Sequence, residues 1–302
     1  MPNSREIEEE MRPKHKYRSV RLRYLKEWHE ITGRSTIVYY SGWLQKPRAH
    51  GIELNDLDMY GFMSVISGLE RPERDKGLDL ILHTPGGSVA ATGKLIDYLR
   101  GIFGTNIRVI VPHLAMSAGT MIACAAKTIL MGKHSGLGPI DPQIRDPRIG
   151  VISAHGILQE FARAHEEIKA DPTKGYVWQP ILEKYPPFLI QKSEDAISWT
   201  KEVVVNLLET GMLKGDKTKA EEIAKTLASH SAIKSHERQL SAKFCQDLGL
   251  NVEMIERDQK EQDIILSIHH ACSLTLMHTP VAKLIMNHND VNIALRASIS
   301  AG

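Results

Sequence analysis

Two stretches, LDLILHTPGGSV (78–89) and IRVIVPHLAMSAGT (107–120), decide the fold. Each begins with an apolar run that has the length and composition of a strand buried on both faces. A sharp turn follows each run, and after the first turn we expect a helix from about Val89 to Arg100. Strands that alternate with helices are typical of βαβ units, so the sequence predicts an α/β fold with a parallel sheet and right-handed crossovers.

The flanking segments extend this pattern. TIVYY (36–40) and TILM (128–131) are predicted strands, and Asn55 or Asp56 is a predicted cap for the helix that follows. After the Pro- and Gly-rich residues 136–150 the apolar period becomes helical. In this second half we expect helices around 157–168, from Ser193 to Gly211, and over 217–230, 241–248 and 259–277.

Composition narrows the classes of function. The 302 residues include 38 Lys or Arg and 36 Asp or Glu, and a net charge of +2 disfavours a dedicated nucleic-acid binder. Residues 11–26 nevertheless carry seven Lys or Arg and no acid. They indicate either a peripheral contact with an anionic partner, or a solvated arm or helix that packs on a sister subunit.

The remaining composition points to a cytoplasmic protein. Three widely spaced cysteines suggest a reducing compartment, and the acidic N-terminus lacks the pattern of a signal peptide. An uncharged stretch of 18 residues between Arg108 and Lys127 has nearly transmembrane length. Because it contains Pro112, Ser117 and Gly119, we interpret it as a buried strand, turn and helix.

The turns His83–Gly87 and Ala115–Thr120 are the candidate site. In a parallel sheet both would lie at the carboxyl edge, where open α/β proteins place their sites. Paired glycines leave backbone N–H groups unobstructed, and these groups could bind an oxyanion while Ser117 is presented as a nucleophile. Each turn alone has a simpler interpretation, because Pro-Gly-Gly is usually only a turn and Ser at a helix start is usually only a cap. Their separation by one βα unit favours the combined site.

HTPGG (83–87), VPHLAMSAGT (111–120) and MGKHSGLGPIDPQ (131–143), in this order, resemble the serine dehydrogenase proteinase family. That family is related to SppA and ClpP within the ClpP/crotonase superfamily. The resemblance continues through LEKYPPFLI (182–190), KSHERQLSAKFCQDLGLNV (234–252) and QDIILSIHHA (262–271), and so covers roughly residues 18–290. It implies a ClpP/crotonase-like core of repeated ββα and βαβ units with a largely helical C-terminal extension.

The resemblance also implies roles for individual residues. Ser117 matches the nucleophile, Gly87 and Ala118 match the residues whose N–H groups bind the oxyanion, and Gly86 shapes the turn. Asp141 stands where ClpP has its histidine. The segment HERQLSA (236–242) resembles the part of ClpP that carries the third member of its triad.

A serine hydroxyl needs a base, and two arrangements stay open. In the first, His236 activates Ser117 and Asp141 orients the imidazole, since a triad is defined by geometry rather than chain order. In the second, a buried lysine is the base, as in SppA-like relatives, and Lys174 and Lys192 are the candidates. Asp141 beside Pro142 also has the simpler interpretation of a turn residue.

These features predict a serine peptidase that acts on peptide or protein substrates. Two alternatives remain: a crotonase-type acyl-CoA enzyme, and a non-catalytic scaffold of the same fold. The sequence carries no metal-ligand motif, so we expect no metal and no cofactor. The resemblance implies a homo-oligomer. We expect three parts: a basic N-terminal arm (1–30), the core with both turns (31–150), and a helical part that completes the site and supplies oligomer contacts (151–302).

Overall fold

The computed structural model describes residues 3–13, 16–228 and 239–297. The described strands, in chain order, are β1 Ser35–Ser41, β2 Leu78–His83, β3 Ile107–Val111, β4 Leu114–Ala115, β5 Thr128–Met131, β6 Gly136–Leu137, β7 Gln143–Asp146, β8 Gly150–Ser153, β9 Leu240–Ser241, β10 Val252–Met254, β11 Val281–Asn287 and β12 Asn292–Arg296. The described helices are α1 Ser4–Met11, α2 Tyr17–Thr32, α3 Leu57–Ser67, α4 Arg71–Asp75, α5 Val89–Phe103, α6 Ala118–Cys124, α7 Ala154–Ala170, α8 Gly175–Leu182, α9 Leu189–Thr210, α10 Lys217–Ala228, α11 Ala242–Leu248 and α12 Gln259–His278.

A seven-stranded mixed sheet forms the centre, in the order β10-β5-β3-β2-β1-β11-β12. The five strands from β10 to β1 are parallel to one another, whereas β11 and β12 are added antiparallel. The predicted strands coincide with β2, β3 and β5 to within one residue. The predicted α/β fold class is therefore confirmed.

Helices pack on both faces of the central strands. Alternate residues of each strand point to opposite sides, so they join different apolar clusters. In β1, Ile37 and Tyr39 join the apolar cluster that contains residues of α3, α5, α6, α9 and α10. Val38 and Tyr40 join a second cluster formed largely with residues of α2 and α12. All seven residues of β1 are buried, as the apolar composition of the predicted strand requires.

The basic N-terminal segment is folded onto this second face. Arg21 is buried and donates from its Nη1 atom to Oγ1 of Thr275, at 2.5 Å. Arg18 donates to the carboxylate of Asp290 at 2.8 Å. α2 therefore belongs to the packed structure, which differs from a detached arm, and part of its charge has partners within the chain. Contact of residues 11–26 with an anionic partner stays a prediction.

In the second half, one predicted helix begins at a different residue, and helix α8 and strands β9 to β12 were not predicted. The helix expected to open at Ser193 begins at Leu189, and Ser193 lies buried inside it, donating to the Leu189 carbonyl at 2.7 Å. Phe188 precedes the helix with a φ of +66°, so the backbone is not helical at this residue and the helix begins after it. The C-terminal end at Gly211 is confirmed.

The uncharged stretch between Arg108 and Lys127 forms the end of β3, then β4 and α6, and is buried apart from His113 and Ser117. Among the described residues, no helix combines the length and apolar character needed to cross a bilayer.

Candidate active site

The two predicted turns lie side by side at the carboxyl edge of the parallel strands. Thr84 and Ala115 form an isolated parallel bridge between them. The Thr84 N–H donates to the Leu114 carbonyl at 3.1 Å, and the Met116 N–H donates to the Thr84 carbonyl at 3.0 Å. These bonds fix the Pro-Gly-Gly turn against the segment that carries Ser117.

Ser117 has a backbone conformation that side-chain-bearing residues seldom adopt, with φ 51° and ψ −111°. It occupies the cap position of α6, yet its side chain makes no capping hydrogen bond. In the fully described stretch 114–126 it is also the one residue that is not buried. The interpretation of Ser117 as a simple helix cap is therefore wrong, and strain of this kind is typical of functional sites.

Gly86 allows the close approach of the two turns. Its φ is +95°, and a Cβ atom placed there would lie 2.6 Å from the Met116 carbonyl oxygen and 2.7 Å from the Ser117 Cβ. Its own N–H is occupied, donating to Oγ1 of Thr84 at 3.1 Å. Gly86 thus positions Ser117 by its lack of a side chain.

The segment around Leu54 packs across Gly87, a contact that no sequence pattern indicated. Leu54 pairs with Gly87 in a parallel bridge, through Leu54 N–H to the Gly86 carbonyl at 2.7 Å and Ser88 N–H to the Leu54 carbonyl at 2.9 Å. A Cβ atom on Gly87 would lie 2.1 Å from the Leu54 carbonyl oxygen. The position therefore tolerates glycine alone.

A buried ion pair holds this crossing segment in place. Nζ of Lys283, on β11, donates to the Glu53 carbonyl and to the Asp58 carboxylate, each at 2.8 Å. Both charged side chains are almost fully excluded from solvent, and Tyr39 also donates to the carboxylate at 3.0 Å. Burial lowers the pKa of Lys283, while Asp58 opposes the shift. Removing one partner would leave a buried charge, so this pair fixes the segment.

Two backbone N–H groups at the turns are available to a ligand. Within the described ranges, the N–H groups of Gly87 and Ala118 donate to no protein atom. Ala118 is the first residue of α6, where an N–H has no partner within the helix. Paired donors beside a serine hydroxyl are what stabilisation of a tetrahedral oxyanion requires.

A cleft of about 470 Å³ lies over these groups. Asp141, 3% exposed, lines it together with Ser117, Gly86 and Gly87. The loop before Asp141 is fixed by the Gly138 N–H, which donates to the Ala115 carbonyl at 3.0 Å. The structure thus brings four of the predicted site residues to one cleft, and Ala118 is the next residue in the chain after Ser117.

The candidates for the base that activates Ser117 are His236, Lys174 and Lys192. His236 lies outside the described residues. Lys174 is exposed and pairs with Glu167 at 3.5 Å, and Lys192 is exposed on the first turn of α9. Neither lysine is among the described residues that line the cleft. The assignment of the base stays a prediction.

The histidines that flank the two turns have structural partners. His83 is 1% exposed, and its Nδ1 lies 3.1 Å from the Leu114 carbonyl oxygen. Burial lowers its pKa to about 3, with a smaller contribution from nearby His113. The two rings stack with centroids 5.5 Å apart. His83 is therefore neutral at ordinary pH, in agreement with its interpretation as a backbone partner.

The opposite wall of the cleft was not anticipated. It is formed by one face of α9 and by an ion pair between Arg145 and Glu53, at 3.2 Å. Trp199 of α9 is 48% exposed and lines the cleft beside Thr200. A tryptophan in the predicted helix was the one sequence signal for this wall, because no motif marks the other residues that form it.

The family follows from a match over more than half of the chain. Residues 57–257 match the model of the ClpP-like SDH-type serine proteinases. The chain belongs to this family, and the matched range includes both turns and the cleft residues beyond them. The resemblance noted in the sequence is confirmed.

Individual relatives have also been found. Two uncharacterized proteins of Methanocaldococcus jannaschii are similar, one 29% identical over 80% of this chain and 78% of its own length, the other 34% identical over 62% and 56%. Among solved structures, the membrane-bound stomatin-specific protease 1510-N matches with a TM-score of 0.40 and 15% identity, over 69% of this chain and 77% of that one. ClpP1 from Listeria monocytogenes matches with a TM-score of 0.37 and 14% identity, over 78% and 98%.

Proposed function

We propose that this protein is a serine peptidase whose nucleophile is Ser117. The observation that carries the proposal is the conformation of this residue. Its backbone is strained, its hydroxyl caps no helix, and it is presented to a cleft between otherwise buried neighbours. Membership in a family of serine proteinases supports the same conclusion.

The proposed reaction passes through an acyl-enzyme. Oγ of Ser117 attacks the peptide carbonyl while a base accepts its proton, and the N–H groups of Gly87 and Ala118 bind the oxyanion. Collapse of the tetrahedral intermediate breaks the C–N bond, and the protonated base gives its proton to the leaving amine. Water then attacks the ester in a second, equivalent cycle that releases the acid and restores Ser117.

We assign the role of base to His236, with Asp141 orienting its ring. The position of β9 supports this choice. Leu240 of β9 lies opposite Leu137 of β6 in antiparallel register, so the described chain resumes at Gln239 beside the loop that leads to Asp141. A lysine such as Lys174 or Lys192 would have to move to reach the cleft.

The substrate in this proposal is a peptide or an unfolded protein segment. The cleft has a volume of about 470 Å³, and both apolar and charged side chains line it, among them Trp199 and Arg145, which supports a peptide as the ligand. A homo-oligomer and a cytoplasmic location are further expectations from the family and the composition.

Hydrolysis of a mixed peptide pool by the full chain tests the proposal. The wild type should cleave peptides, Ser117→Ala should not, and Ser67→Ala, which alters an exposed serine at the end of α3, should match the wild type. Cleavage that persists in Ser117→Ala would refute the assignment of the nucleophile. Saturable binding of coenzyme A without any peptide cleavage would instead favour a crotonase-type enzyme.

A further inference from the structure

A second cluster of ligand-type side chains lies away from the cleft. His29 on α2, Glu73 on α4 and His288 after β11 each direct one ligand atom towards the others, and these atoms lie within 4.8 Å of one another. Nε2 of His288 is 3.5 Å from Oε1 of Glu73. The three residues are far apart in sequence, so no motif could have indicated them.

The other polar atom of each side chain is held by a hydrogen bond. Nδ1 of His29 lies 2.7 Å from the Arg34 carbonyl oxygen, and Nδ1 of His288 lies 3.2 Å from the backbone nitrogen and 3.3 Å from the carbonyl oxygen of Thr36. The tautomer that binds a metal through Nε2 is the one in which each Nδ1 carries the proton and donates to its carbonyl. Metal-binding histidines are oriented by outer contacts of this kind.

The carboxylate of Glu73 is oriented in the same way. Its Oε2 accepts from the Glu70 N–H and from Nδ2 of Asn289, each at 3.2 Å. Oε1 therefore remains for the cluster.

His288 is the most buried member of the cluster, and its Nε2 faces Oε1 of Glu73 at 3.5 Å. Its side chain is 2% exposed, and within the described residues its Nε2 is buried without a hydrogen bond. Buried polar atoms without hydrogen bonds are rare in folded proteins, and a bound ion would supply this one with a partner.

We propose that His29, Glu73 and His288 bind one divalent transition-metal ion, with Zn²⁺ the best match to two imidazoles and one carboxylate. This donor set suits tetrahedral zinc, with water in the fourth position. The two rings are stacked, with centroids 3.8 Å apart and planes 15° apart. Because a ring nitrogen donates in the ring plane, one ring tilts on binding, and His29 is the less buried of the two.

The position of the cluster indicates what the ion does. In the register of β1 and β11, Asn287 lies opposite Ile37 near the start of β1, so His288 is at the amino edge of the parallel strands. Ser117 follows the opposite, carboxyl edge, roughly one strand length or about 20 Å away. The ion would thus join α2, α4 and the end of β11 and stabilise the fold, with no part in hydrolysis.

Equilibrium dialysis of the full chain against Zn²⁺, with metal analysis, tests this proposal. We expect one tightly bound ion per chain, and a Tm that rises with zinc. Glu73→Gln and His29→Gln should each weaken binding at least about tenfold and abolish the rise in Tm. His165→Ala, which alters an exposed histidine on α7, should behave as the wild type.

Circular dichroism verifies that each variant is folded, and Co²⁺ in place of Zn²⁺ reports the geometry through its visible absorption bands. Folded wild type that binds no zinc at a stoichiometric level would overturn the proposal. Binding of equal affinity in Glu73→Gln and His29→Gln would also overturn it, because the ion would then lie elsewhere. Neither result depends on peptidase activity.

Discussion

The polar groups at the two edges of the parallel sheet differ in whether they have hydrogen-bond partners within the described chain. At the amino edge, the carboxylate of Asp79 is fully buried and accepts from Arg34 at 2.6 Å, from Arg108 at 2.5 Å and from Nε1 of Trp28 at 2.9 Å. At the carboxyl edge, the N–H groups of Gly87 and Ala118 donate to no described protein atom.

From this difference we expect the amino edge to contribute to stability and the carboxyl edge to function. A buried charge is tolerated when its hydrogen bonds are satisfied, so the network around Asp79 is complete. In the proposed mechanism the donors beside Ser117 bind the substrate, and the strained backbone of Ser117 costs about 1–3 kcal/mol locally. Substitutions at the two edges should therefore have different consequences.

The largest effect should come from Ser117→Ala at the carboxyl edge. Loss of the nucleophile should lower kcat at least about 10³-fold, while the unfolding free energy should change by no more than about 0.5 kcal/mol. Peptidase assays and urea titrations measure the two quantities. A large loss of stability in this variant would show that the edges are not functionally distinct.

Asp79→Asn at the amino edge should have the converse effect. It leaves two guanidinium groups without their carboxylate, so we expect a loss of about 3 to 5 kcal/mol in unfolding free energy. The kcat of the folded fraction should stay near that of the wild type. Asp97→Asn, an exposed carboxylate on α5, is the matched control and should change stability by less than about 0.5 kcal/mol.

Glycine-to-alanine substitutions should sharpen the contrast further. Gly86→Ala places a Cβ against Met116 and Ser117, which should displace the nucleophile and lower kcat about 10²-fold. Gly93→Ala, within α5, meets no atom within 4 Å and should stabilise the chain by about 0.5–1 kcal/mol with unchanged kcat. Similar kinetics for both variants would contradict the close packing of the two turns.

A smaller effect should depend on pH. The pKa of His83 falls to about 3 in the folded chain because of burial, whereas the unfolded chain binds this proton near its ordinary value of about 6.5. The unfolded state therefore takes up more protons below about pH 6.5, and His83 should reduce stability by up to about 1.4 kcal/mol per pH unit as the pH falls towards 3.

Urea titrations at pH 7 and pH 5 measure this dependence. His83→Gln carries no titrating group, so its stability should fall less between these two values than that of the wild type. Buried His269, whose pKa is also lowered, should keep part of the dependence in both proteins. Equal losses in the two proteins would contradict the neutral, buried state of His83.

Local patterns were sufficient for the central strands and for the two turns. β3 and β5 have the predicted bounds because short apolar runs between turn residues allow few other structures. The start of α9 was misplaced, because Ser193, Glu194 and Asp195 resemble a helix start. The actual break depends on the positive φ of Phe188, which no local pattern specifies.

Contacts between distant segments could not be predicted. Leu54 lies on Gly87 because Lys283, more than two hundred residues later, binds Glu53 and Asp58. The wall formed by Trp199 and the cluster around His288 likewise arise from tertiary packing. Sequence reasoning found the two turns that carry Ser117 and Gly87, and it missed the distant segments that pack against them.

Labelling with a fluorophosphonate probe, followed by mass spectrometry of the digested protein, tests the central claim most directly. We expect one adduct per active chain, located on the peptide that contains Ser117, and none on Ser117→Ala. Exposed serines such as Ser67 should remain unmodified, since they lack an oxyanion site. A folded protein that stays unlabelled while it cleaves peptides, or one labelled equally after Ser117→Ala, would contradict the assignment of Ser117 as the nucleophile.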